Sequence, residues 1–474
     1  MNNKRKALTE ESEVVPVKLK YHRTDFLSEN LKKIIGILNR SWCNDEPLNT
    51  DDVTVSSYPF RHCVIRNFIQ DKEYLKCLKE EVCGFQFSRK HNDLYQYYQS
   101  ADFSTIDKTY VNKMKRFLKE ECRAFLQSVT GIVLNKKISS ACSSYSFTDH
   151  LLCHDDKCED RRVAFILYLN EGWLPENGGA LELFSSTEDG DPDEVVSALQ
   201  PIYNSFVFFE VTNNSFHQVA EVTSRESARL SINGWFHGTV PSDIVPNVIV
   251  PLERPLYAPM HVTTSLISHI NRLYMDPDIQ TQITENFERD SEILLPDFFD
   301  IPFYRQICKS LRAESLIWTT NGPANRRKYE VLHEENLPSL LHHVIQFFKS
   351  EEFFQFLSAL TKLDLEPDED DMPMCSYQVE RWKKGFYTLL HDVEKKKTHY
   401  ALDVILCCNV EGTKSLQSGF LSYVAENADE ELLTLVPSYN ALALTFRDSE
   451  TNCFAKYINS LFKGFFPCPL IHLL

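Results

Sequence analysis

The segment TDHLLCHDDKC, residues 148–158, places one histidine and two aspartates in consecutive positions. Along a strand, residues two apart point to the same face, so we expect His154 and Asp156 to face one site while Asp155 faces away. An imidazole and a carboxylate are two of the three ligands in the 2-His-1-carboxylate set, which holds iron(II) and leaves coordination positions open. By itself an H-x-D pattern also fits a hydrogen-bonded turn, so the iron prediction depends on further residues.

A third ligand and an anion-binding residue follow in later predicted strands. His217 comes after the apolar run 204–211, 63 residues beyond His154, and we expect it to complete the iron site. Arg229 follows twelve residues later, on a strand with one polar and one apolar face. A guanidinium binds a carboxylate through two parallel hydrogen bonds, so we favour Arg229 as the anchor of an acidic co-substrate over a surface arginine on an edge strand. The polar face is Arg229, Ser231, Asn233 and Trp235, and the apolar face is Leu230, Ile232 and Phe236.

Tyr168 and the nearby cysteines each allow two interpretations. Tyr168 lies in the apolar stretch AFILYL, where a buried phenol needs a hydrogen-bond partner, so it either shares the co-substrate carboxylate with Arg229 or is a core tyrosine. A zinc site is the competing metal prediction, but structural zinc sites usually show paired spacings such as C-x-x-C, which this cluster lacks. We therefore favour iron and interpret the cysteines as small buried apolar residues. The zinc candidates are Cys142, Cys153, His154 and Cys158.

Composition predicts a soluble protein of a reducing compartment. The chain has 474 residues, which indicates two or three domains. It shows neither a secretory signal nor an apolar run of the roughly 18–20 residues that a membrane span needs. Its fourteen cysteines are irregularly spaced and are expected to be reduced thiols. The net charge of −17 argues against nucleic-acid binding and favours basic partners.

Hydrophobic periodicity gives the order of the elements. Helical patterns cover 70–82 and 111–129, whereas from about residue 138 short strand-like runs follow one another, as in a jelly roll. Five prolines between 238 and 260 predict an irregular interdomain linker. The strand-like runs are 162–169, 180–184, 204–211 and 228–236. The expected domains are a loose tail at 1–24, a catalytic domain at 25–238, a linker at 239–262 and a second domain at 263–474.

The second half of the chain repeats the first with weak sequence similarity. Four matches keep the same order at offsets of 231 to 240 residues, which predicts an internal duplication. Val393 stands at the position of Asp156, so the second copy is expected to bind no metal. The final KGFFPCPLIHLL shows no equivalent of the Arg229 strand, which leaves open whether the second barrel is complete. Cys453 takes the position of His217 and Cys408 that of Tyr168. The matches are FLQSVTGI (125–132) with FLSALTKL (356–363), CHDD (153–156) with LHDV (390–393), NGGALELF (177–184) with QSGFLSYV (417–424), and PIYNSFVFF (201–209) with PSYNALALT (437–445).

The ligand spacing and strand order together resemble the 2-oxoglutarate and iron(II)-dependent oxygenases. Within that class, the chain is similar to the two-domain ribosomal prolyl 3-hydroxylases, densely over roughly 58–240 and more weakly to about 460. The similar stretches are FRHCVIRNFI (60–69), NDLYQYYQS (92–100), FTDHLLCHDD (147–156), RRVAFILYL (161–169), SFVFFEV (205–211), SFHQVAEV (215–222) and RLSINGWFHG (229–238).

The resemblance implies a fold class, a site and a reaction. The fold is α+β, with two tandem double-stranded β-helix (jelly-roll) domains and flanking helices, the second domain being a degenerate copy. His154, Asp156 and His217 bind the catalytic iron(II), while Arg229 and Tyr168 bind 2-oxoglutarate; ascorbate is the supporting cofactor. The reaction is 3-hydroxylation of one proline in a basic protein of the small ribosomal subunit, with an effect on translation. Residues 92–100 are expected to form a lid over the substrate.

Two alternatives remain at this stage. One is an oxygenase of the same class that acts on another target, and the other is a non-catalytic interaction protein with a vestigial metal site. We expect no direct nucleic-acid binding and no membrane association. The KRK at 4–6 fits a fragment of a nuclear signal, although three basic residues in a solvated tail more often have no such role. Together with the ribosomal role, this tail leads us to expect residence in the cytoplasm and the nucleus.

Overall fold

The structure is a computed structural model that describes residues 26–245, 252, 254–365, 373–390, 392, 400–408, 420–426 and 431–473. The tail predicted at 1–24 lies outside these residues, as do the counterparts His391 and Val393. None of the helices in the described part combines the length and apolar character needed to cross a membrane.

Helices precede most strands of the first half and pack behind its sheet. Helix α3 begins after Asp71, whose carboxylate accepts a hydrogen bond from the Tyr74 backbone N–H, and its buried residues recur every three or four positions. Helices α4 and α5 form one stretch through a π-helical turn at Leu118–Cys122, which ends where Gly131 adopts φ 73°. Both predicted helical patterns are confirmed. The helices are α1 (Glu29–Lys33), α2 (Ile35–Cys43), α3 (Lys72–Cys83), α4 (Thr109–Phe117) and α5 (Arg123–Thr130).

The strands of the first half form one thirteen-stranded, antiparallel sheet that folds over into two layers. One layer has the order β3-β11-β8-β13-β6, and β5 connects it to β7-β12-β9-β10. The four strand-like runs correspond to β8, β9, β11 and β13. The strands are β1 (Leu48–Asn49), β2 (Val53–Ser56), β3 (His62–Ile65), β4 (Ser88–His91), β5 (Tyr95–Gln99), β6 (Leu134–Tyr145), β7 (His150–His154), β8 (Arg161–Tyr168), β9 (Leu181–Ser186), β10 (Pro192–Leu199), β11 (Phe206–Glu210), β12 (His217–Val219) and β13 (Arg229–Gly238).

The two faces of β13 separate the core from a cavity. Leu230, Ile232 and Phe236 belong to the apolar cluster that also holds the buried helix residues. The alternate residues of the strand line a cavity between the two sheet layers. The polar and apolar faces predicted from the alternation are therefore confirmed, and the polar face points into the cavity.

The crossing of β13 and β6 leaves no room for a side chain at Gly234. A Cβ atom built there would lie 1.9 Å from the backbone carbonyl oxygen of Ser139. We expect Gly234→Ala to lower the free energy of unfolding by at least about 3 kcal/mol, because a backbone atom must move. Chemical denaturation measures this. The control is Gly36→Ala in α2, where no atom lies within 4 Å of the new Cβ, and where alanine should stabilise by about 1 kcal/mol. Equal stability of the two variants would contradict the prediction.

The second half also combines helices with antiparallel sheets. Its helices are α6 (Pro277–Asp290), α7 (Ile301–Ser310), α8 (Ser339–Phe348) and α9 (Glu351–Thr361). Its strands are β14 (Leu256–Tyr257), β15 (Glu292–Leu295), β16 (Trp318–Asn321), β17 (Arg327–Leu332), β18 (Cys375–Lys383), β19 (Tyr387–Thr388), β20 (Tyr400–Leu406), β21 (Leu421–Ala425), β22 (Glu431–Leu435), β23 (Leu442–Asp448), β24 (Thr451–Ala455) and β25 (Phe465–Leu473). One sheet contains the order β15-β23-β20-β25-β18, and a smaller sheet has the order β22-β21-β24.

The structure adds to two sequence interpretations of this half. The C-terminal segment is strand β25, which pairs with β18 on one side and β20 on the other, as β13 pairs with β6 and β8. The sequence hid this strand because two prolines interrupt an apolar run. The proline-rich segment is not wholly irregular either, since Leu256–Tyr257 pairs with Cys375 and Ser376.

The two halves contact each other next to strand β7. The Glu221 carboxylate accepts hydrogen bonds from the backbone N–H of Ser460 at 2.9 Å and from its hydroxyl at 2.7 Å. The Asp93 carboxylate accepts one from the backbone N–H of Leu390 at 2.8 Å. An apolar cluster, which we call the interface cluster, fills the contact between them. Its members are Leu94, Leu152, Tyr387, Leu389 and Tyr457.

Candidate active site

Three predicted ligands meet at one end of the cavity. His154 is the last residue of β7 and His217 the first residue of β12, and the antiparallel pairing sets these two residues directly opposite each other. Asp156 lies just beyond β7, in a turn where its own φ is 63°. The expectation that strand alternation places Asp156 was therefore wrong, although the residue is the one predicted: a left-handed turn, which aspartate tolerates better than most residues, brings its carboxylate to the two imidazoles.

The three side chains present their donor atoms to a common point. Asp156 Oδ1 lies 3.5 Å from His154 Nε2, and Asp156 Oδ2 lies 3.5 Å from His217 Nε2. The Nδ1–H of His154 donates to the Leu152 carbonyl and that of His217 to the Ser215 carbonyl, each at 2.8 Å. Because each Nδ1 is used in this way, each Nε2 is the ring atom that faces the common point and that a metal ion would bind.

The pKa values describe a charged carboxylate between two imidazoles. Burial acts to raise the pKa of Asp156, but the hydrogen bond from His154 and the charges of both histidines outweigh it and hold this pKa well below its usual range. Burial, with the charge of His154, lowers the pKa of His217 to about 4. Burial also acts to lower the pKa of His154, where the neighbouring Asp156 carboxylate outweighs it and raises that pKa. An ionised carboxylate and a neutral imidazole are the ligand forms that a divalent metal binds.

Ser215 connects the ligands and was missed in the sequence. Its carbonyl accepts the His217 Nδ1–H, while its buried hydroxyl donates to the Asp155 carbonyl at 3.1 Å. It therefore holds both ligand-bearing segments in place. A serine two residues before a histidine carries no signal by itself, since only the fold brings it to residue 155.

Arg229 is a buried cation in the same cavity. Its side chain is 1% exposed, and its two hydrogen bonds, to Tyr168 Oη and Ser231 Oγ, are both long at 3.4 Å. Its Nε has no hydrogen-bond partner, and the ion pairs found among the described residues include none to Arg229. A buried guanidinium without a carboxylate is costly, so this geometry leaves a place for the carboxylate of a bound molecule.

The cavity has a volume of about 390 Å³ and contains both the three ligands and Arg229. Tyr168 lies behind Arg229: it is fully buried, its hydroxyl meets the guanidinium, and it is not among the residues that line the cavity. Tyr145, which the sequence did not single out, does line the cavity and packs on the other side of the guanidinium. The part of Tyr168 in binding a co-substrate stays a prediction.

Two further side chains flank the ligands on the open side. The Arg161 guanidinium lies 3.7 Å from the centre of the Trp235 ring and 3.7 Å from Asp156 Oδ1. Opposite them, Tyr97 from the β4–β5 hairpin stacks on Tyr145, with ring centres 4.8 Å apart. Trp235 was placed on the polar face of its strand in advance. Arg161 and Tyr97 were not assigned to the metal site, because strand pairing alone brings them there.

The competing zinc site does not form. Cys142 lies in the main apolar core, Cys153 packs in a small cluster facing the second half, and Cys158 is exposed. Where side chains are described, only two groups could hold a metal ion: His154, Asp156 and His217, and a partly buried group of Glu159, Asp160 and His237. Lys137 already pairs with both carboxylates of the second group. All fourteen cysteines are free thiols.

Two family models and a solved structure show what the chain is similar to. The family model described as 2OG-Fe(II) oxygenase superfamily matches residues 140–237, and the one described as oxoglutarate and iron-dependent oxygenase degradation C-term matches residues 261–466. A crystal structure of a prolyl-4-hydroxylase from Pseudomonas putida is similar, with 18% identity and a TM-score of 0.32, covering 38% of this chain and 93% of that chain.

Full-length relatives show the family. Prolyl 3-hydroxylase OGFOD1 from Mus musculus is 37% identical over 485 residues, which cover 88% of this chain and 88% of the relative. Prolyl 3-hydroxylase sudestada1 from Drosophila melanogaster is 32% identical over 460 residues, which cover 89% of this chain and 84% of the relative. The chain therefore belongs to the prolyl 3-hydroxylase family of 2-oxoglutarate- and iron(II)-dependent oxygenases, and it is an enzyme that hydroxylates proline in a protein substrate.

Proposed function

We propose that His154, Asp156 and His217 hold the iron, that Arg229 holds 2-oxoglutarate, and that the substrate is a proline of a basic small-subunit ribosomal protein. The single observation that carries the site assignment is the meeting of these four side chains in one cavity. Two neutral imidazoles and one ionised carboxylate are the donor set that suits iron(II).

The residues fit the metal and the co-substrate. Bound iron with 2-oxoglutarate and dioxygen supplies the oxidation, which puts one oxygen atom on the proline carbon and the other in succinate, with release of carbon dioxide. The protein orients the reactants and excludes side reactions. Arg229 would pair with the distal carboxylate of the co-substrate, and Ser231 and Tyr168 would keep its guanidinium aligned through their hydroxyl groups.

The proline is proposed to enter between the β4–β5 hairpin and the face formed by Arg161 and Trp235. Tyr95 and Tyr97 line the cavity from the hairpin, as the lid prediction for residues 92–100 requires. The ring of a proline packs well on aromatic faces, and Arg161 carries hydrogen-bond donors for a substrate backbone carbonyl.

The Tyr97→Ala variant tests whether the substrate proline enters beside the β4–β5 hairpin. We expect Tyr97→Ala to raise the KM for a substrate peptide about 5- to 13-fold, since the loss of one aromatic contact costs roughly 1–1.5 kcal/mol. The Kd of 2-oxoglutarate should change little, since Arg229 stays in place. Tyr98→Ala is the matched control, because Tyr98 is 38% exposed and packs outside on Arg89. An unchanged KM in Tyr97→Ala would remove the hairpin from the substrate site.

We further propose that the domains follow the boundaries expected from the sequence, and that the second half is a jelly roll that has lost its metal site. Strand orders β3-β11-β8-β13-β6 and β15-β23-β20-β25-β18 support this. Cys453 pairs with Tyr423 as His217 pairs with Leu183, which agrees with the expected replacement of that histidine by cysteine.

The same comparison shifts one predicted counterpart by a residue. Ile166 and Ile405 hold equal positions, because they pair with Val207 and Asn233 in the first sheet and with Ala443 and Leu470 in the second. Cys407, rather than Cys408, then corresponds to Tyr168, and Phe466 corresponds to Arg229. A phenylalanine cannot anchor a carboxylate, so this half is proposed to bind neither iron nor 2-oxoglutarate and to serve structure or substrate recruitment.

The ribosomal substrate is supported by the family resemblance and by charge. The chain carries a net charge of −17, and opposite potentials speed the encounter with a basic protein. A role next to the ribosome also supports residence in the cytoplasm and the nucleus. A proline in another protein is the second candidate substrate. The cavity walls contact the reacting proline more closely than the residues that flank it in the substrate.

A peptide assay tests the substrate. The purified protein is incubated with iron(II), ascorbate, 2-oxoglutarate and a peptide that spans the decoding-centre proline of the small-subunit protein. Succinate and a peptide heavier by one oxygen atom are expected together. Succinate without a modified peptide, while another basic peptide is hydroxylated, would replace the ribosomal substrate by the second candidate.

A further inference from the structure

The second half encloses a cavity of its own, away from the metal site. It has a volume of about 100 Å³ and lies between the β18-β25-β20 strands and the smaller sheet. Leu389, a member of the interface cluster, forms part of its wall. Among its other lining residues are three carboxylates, two arginines and one histidine: Glu380, Asp392, Asp403, Arg254, Arg447 and His472.

The carboxylates of this cavity are already neutralised. Asp403 accepts from Arg447 Nε at 3.1 Å and from Arg447 Nη2 at 3.2 Å. Asp392 is held by Arg327 at 2.7 and 2.5 Å, and Glu380 lies 3.5 Å from Arg254. Each carboxylate therefore has its own guanidinium, so the cavity favours a neutral ligand over an anion or a cation.

His472 has one ring nitrogen with a partner and one without. The residue is 8% exposed, and its Nδ1 lies 2.6 Å from Asp403 Oδ1. Burial acts to raise the pKa of Asp403, but the Arg447 guanidinium and the hydrogen bond from His472 outweigh it and hold that pKa well below its usual range, so Asp403 is an ionised acceptor. Nδ1 must therefore carry the proton, and the neutral ring then presents the Nε2 lone pair. That buried Nε2 has no hydrogen-bond partner within the described part of the chain. Such an atom normally has one, so a ligand donor is expected there.

The walls around His472 restrict the ligand further. Guanidinium groups supply only donors, so Arg254 and Arg447 suit an acceptor oxygen on the same ligand. Ile405, Leu421 and Leu470 give the remaining wall an apolar surface. A neutral group with an N–H donor beside a carbonyl acceptor and little apolar bulk is a carboxamide. A cavity of this size holds about four to six non-hydrogen atoms, by comparison with the roughly 150 Å³ that accommodate benzene.

We propose that the cavity of the second half is a binding site for a small carboxamide group, whose N–H donates to His472 Nε2. The group comes either from a free small molecule or from an asparagine side chain of a bound protein segment. The site does not depend on iron, on 2-oxoglutarate or on the identity of the hydroxylated protein. It gives the half that lacks the metal ligands a binding function.

Acetamide is the probe, with acetate as its charged counterpart of equal size. Crystals of the full chain soaked in acetamide should show it in the cavity with its nitrogen within hydrogen-bond distance of His472 Nε2. Saturation-transfer NMR should show the same binding in solution, with a Kd on the order of millimolar for so small a ligand. Acetate should bind at least about tenfold more weakly, because it has no N–H to donate.

A cavity-filling variant gives the control. Leu421→Phe adds bulk to the cavity wall and leaves Asp403 and His472 unchanged, so it should abolish the acetamide signal. Leu432→Phe, at an exposed position of β22, should retain that signal. Free asparagine and the blocked peptide acetyl-Gly-Asn-Gly-amide then distinguish the two sources of the amide. Tighter binding of free asparagine indicates a small molecule, and tighter binding of the peptide indicates a protein segment. A cavity that holds only water at saturating acetamide, equal binding of acetate, or full binding in Leu421→Phe would overturn the proposal.

Discussion

Asp156→Ala is expected to abolish hydroxylation, with turnover reduced more than about 1000-fold and the Kd of iron(II) or manganese(II) raised more than about 100-fold. Loss of a group that merely supports a metal ligand already costs 10–100-fold in affinity, and Asp156 is proposed as the one charged ligand of the set. It also places its two oxygens 3.5 Å from the two Nε2 atoms, so no neighbouring carboxylate can take over without a change of the turn. Calorimetric titration with manganese(II) and succinate formation measure the two effects.

Two variants separate ligation from folding. Position 156 has φ 63°, which alanine tolerates less well than aspartate, so Asp156→Ala strains the turn as well. Asp156→Asn keeps the turn and should still lose turnover, because an amide is a poor iron ligand. Asp155→Asn is the matched control at the neighbouring position. The wild-type Asp155 carboxylate contacts Lys157 instead of the histidines, so metal binding in this variant should stay within about threefold of the wild type. Loss of the metal in Asp155→Asn with its retention in Asp156→Asn would reassign the ligand.

The three candidate ligands could be selected from the sequence, but the backbone that brings them together could not. Spacing and residue type selected His154, Asp156 and His217, since few combinations of side chains suit iron(II). The expected strand continuation at 156 was wrong because a single positive φ decides where that carboxylate goes, and no local pattern encodes it. Tyr145, Arg161 and Ser215 were missed for a related reason. Tyr145 and Arg161 reach the site through pairing with a strand far away in the sequence, and Ser215 reaches Asp155 because β12, which follows it, pairs with β7. Pairing register is a property of the whole sheet.

The fold shows the same division between local and non-local information. Strands β8, β11 and β13 are apolar runs that are visible in the sequence. The N-cap residue of helix α3 and the spacing of its apolar residues are visible there too. Strand β25 was not recognised, because Pro467 and Pro469 suggest irregular chain. Both prolines nevertheless take part in the ladder, opposite Arg381 and Val379. Proline lacks only the N–H, so its carbonyl and φ remain compatible with a strand where the neighbouring residues supply the donors.

Arg229→Met is expected to change the stability of the protein and its affinity for 2-oxoglutarate in opposite directions. The wild-type guanidinium is buried with two long hydrogen bonds and without a carboxylate among the described side chains, so replacement by an apolar residue of similar length should stabilise the cofactor-free protein by about 1–2 kcal/mol. The Kd of 2-oxoglutarate should rise at least about 30-fold, because truncating one partner of a buried charge pair costs roughly 2–5 kcal/mol. Thermal unfolding with manganese(II), in the presence and absence of 2-oxoglutarate, measures both quantities.

The control for Arg229→Met comes from the neighbouring strand. Arg162 is also buried, but its Nη2 donates to the Glu210 carboxylate at 3.0 Å. Arg162→Met should therefore destabilise the protein by about 3–5 kcal/mol, since it leaves a carboxylate without its partner. In the wild type, saturation with 2-oxoglutarate at 100 times its Kd should add about 2.7 kcal/mol of stability, and Arg229→Met should lose that gain. If Arg229→Met destabilised the free protein as Arg162→Met does and still responded to 2-oxoglutarate, Arg229 would be a structural cation and the co-substrate anchor would have to be sought elsewhere in the cavity.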